Sequence, residues 1–115
     1  MTPSSQGYKC GDVVLVRFVF ADERGAKRRP VLVLNTAAYS ASRQELVVAA
    51  MTSRSDRLLM GDCLLADWQS AGLPQASVVT GIFRTIKQSM VESVFGQVSA
   101  GDLATVQQGV RAVLG

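Results

Sequence analysis

Three consecutive cations, Lys27, Arg28 and Arg29, stand between two apolar runs and are followed at once by Pro30. A core does not need such a cluster at the mouth of a strand, so it is the first place to look for chemistry. A guanidinium presents a planar fork of donors that matches phosphate oxygens, and a following proline restricts Arg29 to an extended backbone. The second candidate is Thr52, where the apolar run 46–51 gives way to Thr52, Ser53 and Arg54 within one step. A threonine hydroxyl can donate to the same phosphate, and hairpin-connected strands bring such ends close together. Arg29 and Thr52 would then bind and polarise a phosphodiester. The competing roles are an ion pair of Arg29 with Asp22 or Glu23, and a hydrogen bond of Thr52 to nearby backbone.

The elements that must position these two residues follow from the pattern around them. Valine and phenylalanine dominate 13–20, and β-branched side chains suit a pleated surface, which predicts a strand with Val14, Val16, Phe18 and Phe20 on a core face and Arg17 on the other. Residues 21–27 read as a loop with a turn at Gly25, and Pro30 suits the first position of a second strand, 31–34. A loop over 36–43 leads to a third strand, 45–51. A short fourth strand, 61–65, precedes one or two helical turns over 66–74 that end at Gly72 and Pro74. Two further strands, 78–86 and 90–98, are joined through Lys87-Gln88-Ser89, and strands without long helices between them favour antiparallel pairing. Ser99 to Asp102 forms a capping box in which hydroxyl and carboxylate satisfy orphan amides. Leu103, Val106, Val110, Val113 and Leu114 then recur at helical spacing as one stripe, and Gly109 within it costs about 1 kcal/mol relative to alanine.

At 115 residues the chain is expected to form one domain, 1–115, with a single core. It has no histidine, so acid–base chemistry must work without imidazole. The net charge of +3 is uneven, with nine Lys/Arg against five Asp/Glu in residues 1–57 and three against four in 58–115. Positive potential therefore collects around the opening cluster, which suits either an acidic partner or a solubilising surface. Cys10 and Cys63 have no metal-like spacing, and Cys63 reads as a buried, inert thiol. Neither a secretory signal nor a run long enough for a membrane span is found, which predicts a reducing, cytoplasmic setting without membrane contact.

The chain also resembles the MazF/PemK/Kid ribonuclease toxins of bacterial toxin–antitoxin systems. The resemblance rests on Gly11-Asp12-Val13-Val14-Leu15-Val16, Arg28-Arg29-Pro30-Val31-Leu32-Val33 and Ala50-Met51-Thr52-Ser53, and continues with Asp67-Trp68, Ala71-Gly72-Leu73, Ser77-Val78-Val79, Thr85-Ile86 and Gly96-Gln97-Val98-Ser99. It implies a small, mainly β, SH3-like antiparallel barrel with a carboxy-terminal helix. It implies a metal-independent endoribonuclease, needing no cofactor, that cuts single-stranded RNA by attack of a 2′-hydroxyl to leave a 2′,3′-cyclic phosphate and a 5′-hydroxyl. Arg29 would stabilise the phosphorane and Thr52 would orient the phosphate, while Glu23 in the first loop is the nearest match to the family's acidic base. Arg17, Lys27, Arg28, Ser53, Arg54 and Arg84 would bind flanking substrate. Family members are homodimers whose antitoxins lay an acidic tail over the RNA groove. The alternatives are a gyrase-inhibiting toxin of the same fold and an inactive RNA-binding or regulatory member.

Overall fold

Asp12–Val19 (β1) and Ala26–Val33 (β2) pair in register from Val13 opposite Leu32 to Val19 opposite Ala26, and both strands of this hairpin are interior to the sheet. The structure, a computed structural model, describes residues 7–19 and 26–115. Glu45–Thr52 (β3) follows a short helix, Ala37–Arg43 (α1), and Cys63–Leu64 (β4), Val78–Lys87 (β5), Val91–Gln97 (β6) and the helix Ala100–Leu114 (α2) complete the order. The six strands lie as β4-β5-β3-β2-β1-β6, and every ladder is antiparallel. The sheet curls into a half-barrel, so the expected mainly β architecture with a carboxy-terminal helix is what forms. Register shifts between Val13 and Val14, between Leu15 and Val16, and between Ala49 and Met51 mark where strands bend.

Both faces of the sheet are covered. One cluster joins Val13, Leu32, Ala49, Met51 and Val79 to Leu65, Leu73 and Val106 of α2. The other joins Val14, Val16, Val31, Val33, Leu46, Val48 and Ile86 to Tyr8. This corrects the expectation of a single core face on β1, because Val13 and Val14 point to opposite sides and are both fully buried. Two covered faces explain the near-continuous apolar runs better than strict alternation does.

Several boundaries differ from the sequence reading. Pro30 sits inside β2, opposite Leu15, and Lys27 is already in the strand. Phe20, the Gly25 turn and Glu23 fall outside the described residues. The expected loop 36–43 contains α1, capped by the Thr36 hydroxyl accepting from Tyr39 N at 3.2 Å and closed by Gln44 in the left-handed region. Conversely, the helical turns over 66–74 form only hydrogen-bonded turns: Ala71 N donates to Asp67 O and Leu73 N to Trp68 O, with Gly72 at φ +83°. Val113 and Leu114 leave the stripe of α2 and are 41% and 69% exposed. Gly109 is there for space as well, since a Cβ would lie 3.0 Å from Gly61 O.

The cap of α2 holds only in half. The Ser99 hydroxyl accepts from Asp102 N at 3.2 Å as expected, but the buried Asp102 carboxylate accepts from Ala66 N at 3.0 Å and Asp67 N at 2.8 Å. It thereby ties the helix to the turns that follow β4. Asp102→Asn leaves one of those amides facing a donor, so a loss of about 1–3 kcal/mol is expected in urea unfolding. An unchanged midpoint would refute the tie.

Cys63 is buried as expected, and its thiol is held above the ordinary 9.0 by burial first and the Asp102 charge second. Unfolded chain then releases this proton before folded chain does. The associated stability is full below the unfolded value and is lost as pH rises through the folded one. As pH rises above about 8.5, the ordinary thiol range, the fall in urea midpoint should be shallower for Cys63→Ala than for wild type. Equal slopes would assign the alkaline loss elsewhere.

Candidate active site

In β2 the backbone alternates its partners. Gly11 N donates to Val33 O and Leu34 N to Val47 O, so odd residues bond toward β1 and even residues toward β3. Pro30 therefore aims its nitrogen at β3, where it has no hydrogen to offer Met51. The β2–β3 ladder accordingly stops at Val31 opposite Ala50. Continuing the same register by two residues sets Arg29 opposite Thr52 on one face of the sheet. Proline thus frees both residues from the ladder and leaves a gap between the strand ends.

That gap is a cleft of about 520 Å³ lined by Arg29, Thr52, Ser53 and Arg54, and by Leu73, Pro74, Gln75, Ser77 and Phe95 from more distant segments. Arg29 is exposed, and no ion pair holds it among the described residues. The Thr52 hydroxyl accepts from Arg54 N at 3.2 Å, which fixes its oxygen while its own hydrogen stays available to a ligand. One competing role is answered in part, since Thr52 does bond to backbone yet keeps its donor, while Asp22 and Glu23, the alternative partners of Arg29, lie outside the described residues. Arg54 lies 3.9 Å from Asp56, both well exposed, a pairing that contributes at most about 1 kcal/mol and leaves the arginine free to turn. The arrangement can hold an anion between a guanidinium and a hydroxyl.

The other predicted cations separate. Arg28 and Arg17 are directly opposite each other on the reverse face from Arg29, and Arg28 Nε donates to both oxygens of Glu92 at 2.9 Å. The carboxylate relieves the like-charge contact and lies with them in a different depression, beside Ser89 and Met90. Lys27 is exposed on the Arg29 face. Arg84 lines a second cleft that shares Arg29, Pro30 and Met51 with the first. No carboxylate is among the described residues lining these two clefts, and Glu23 lies outside the described residues. Among the described residues no group of three or more His, Cys, Asp and Glu side chains comes together to hold a metal, and no helix is long and apolar enough to cross a membrane.

Sequence reading missed Leu73, Pro74, Gln75, Ser77 and Phe95. They reach the cleft because Gly72 packs against Phe95, and the only sequence signal for this was the Gly72-Leu73-Pro74 turn.

The fold is a small antiparallel half-barrel in which an arginine and a hydroxyl line one cleft beside the proline that ends a ladder. Residues 9–114 match the PemK-like, MazF-like toxins of type II toxin-antitoxin systems, and the chain belongs to that family. It is 38% identical over 92 residues to Endoribonuclease MazF2 of Mycobacterium bovis and to Endoribonuclease MazF6 of Mycobacterium tuberculosis, which covers 77% of this chain and 80% of each relative. Among solved structures, MazE-MazF from Deinococcus radiodurans superposes with a TM-score of 0.77 at 25% identity, over 93% of this chain and 95% of that one. A mycobacterial endoribonuclease in complex with its cognate antitoxin gives 0.76 at 15% identity, over 94% and 95%, and supports the fold alone.

Proposed function

We propose that this protein is the toxin of a type II toxin–antitoxin pair and acts in the cytoplasm as an endoribonuclease on single-stranded RNA. The observation that carries the reading is the convergence of Arg29 and Thr52 on one cleft, in a chain similar to proteins named endoribonucleases. The scissile phosphate sits between the Arg29 guanidinium and the Thr52 hydroxyl. Attack of the adjacent 2′-hydroxyl raises the charge on the phosphate oxygens, and Arg29 stabilises that charge without reorganising, because Pro30 restricts its backbone. The bond from phosphorus to the 5′-oxygen breaks and that oxygen takes up a proton from water, giving a 2′,3′-cyclic phosphate and a 5′-hydroxyl. Glu23 takes the 2′-hydroxyl proton, and no metal is needed.

Two copies form the working unit, and exposed Leu58, Leu59, Met60, Ile82, Val113 and Leu114 offer apolar surface for the second. An acidic antitoxin segment competes with RNA for the Arg29 and Arg54 cleft. Purified protein in EDTA should cut a long single-stranded RNA, and Thr52→Ala should slow it. RNA left intact, with DNA gyrase inhibited instead, would replace this reading by that of a gyrase poison.

A further inference from the structure

We infer that the pocket closed by Phe18 and Arg84 receives a nucleobase next to the phosphate held at Arg29, an inference that rests on the RNA reading above. Phe18 belongs to β1 and Arg84 to β5, which β2 and β3 separate in the sheet. Arg84 Cζ nevertheless lies 5.1 Å from the centre of the Phe18 ring. The curl of the sheet brings the two together across a pocket of about 260 Å³ lined by Arg29, Pro30, Val31, Val48, Ala50 and Met51. Val31 and Val48 are buried, so the lining is apolar and already formed. Arg29, Pro30 and Met51 also line the Thr52 cleft, so the two depressions meet at Arg29.

The chemistry of the walls selects the occupant. A guanidinium lying over an aromatic ring is a flat surface on which a second π system stacks. An aliphatic group would fill the apolar floor but gain nothing from Arg84. A carboxylate would pair with Arg84 and leave the floor bare. A nucleobase uses both, and its backbone phosphate falls within reach of Arg29. Stacking of this kind accepts any base, since every base has a π face, so the pocket sets affinity and position.

The test first maps a cut site with wild type, then measures binding of an RNA carrying that site with 2′-deoxyribose at the cleaved nucleotide. Phe18→Leu and Arg84→Lys are compared with wild type, and the RNA is scanned with one abasic position at a time. Each variant should bind about 5- to 100-fold more weakly. One abasic position should weaken wild type to the same extent and add nothing in the variants. Arg84 is exposed, so Arg84→Lys remains informative if Phe18→Leu fails to fold. It keeps the charge, so the salt slope should not change. Wild-type binding by Arg84→Lys, or losses that multiply at every position, overturns the pocket's role while wild-type cleavage leaves the RNA reading standing. Wild type that cuts no RNA overturns both.

Discussion

Arg29→Ala is expected to cut RNA about 100- to 1000-fold more slowly than wild type at saturating substrate. The loss should appear in kcat, because the guanidinium meets charge that develops only as the 2′-oxygen attacks. Arg29→Lys should recover part of the rate, since it restores the charge but not the planar fork. The side chain is exposed, and no ion pair holds it among the described residues, so both variants should unfold within about 0.5 kcal/mol of wild type. Arg28→Ala is the natural control. It faces the other side of the sheet and is engaged by Glu92, so cleavage should change severalfold at most. Single-turnover cleavage of a fluorogenic RNA measures all three, and an Arg29→Ala rate within threefold of wild type would remove Arg29 from the chemistry.

The second large effect concerns folding. Gly72 has φ +83°, and a Cβ there would lie 2.3 Å from Phe95 O. The left-handed backbone alone costs a non-glycine residue about 1–2 kcal/mol. The clash is with backbone, which cannot swing aside, and forcing apart a packed contact costs about 1–3 kcal/mol more. Gly72→Ala should therefore lose about 2–5 kcal/mol in urea unfolding. Because the same turn carries Leu73 and Pro74 to the cleft wall beside Phe95, the folded fraction should also cut RNA more slowly. Gly101→Ala provides the contrast: a Cβ there meets nothing within 4 Å, and α2 should gain about 0.4–1 kcal/mol. A Gly72→Ala protein as stable as wild type would mean that the turn can relax away from β6.

The strands were readable because β-branched runs bounded by glycine, proline and charge have few other uses. Every predicted strand has an observed counterpart, and Ser99 caps α2 as its position demands. α1 was not readable. Its seven residues are too few to be helical on propensity alone, and it is anchored from outside by Ser40 Oγ donating to Tyr8 O at 2.7 Å. Asp102 misled for a related reason. A carboxylate three residues after a capping serine fits a capping box, but this one accepts from the amides of Ala66 and Asp67, and local sequence carries no trace of a contact 35 residues away.

The site divides in the same way. Residue type and strand position by themselves picked out Arg29, Pro30 and Thr52, because a fixed arginine and a hydroxyl at strand ends have a phosphate in common. Tertiary structure alone decided the rest. It brought Arg29 and Thr52 to one cleft where the β2–β3 ladder ends, sent Arg28 and Arg17 to the other face, and brought Phe18 under Arg84 across two intervening strands. Register and curl cause these outcomes. Both arise from pairing between strands far apart in the chain, so no single stretch of sequence contains them.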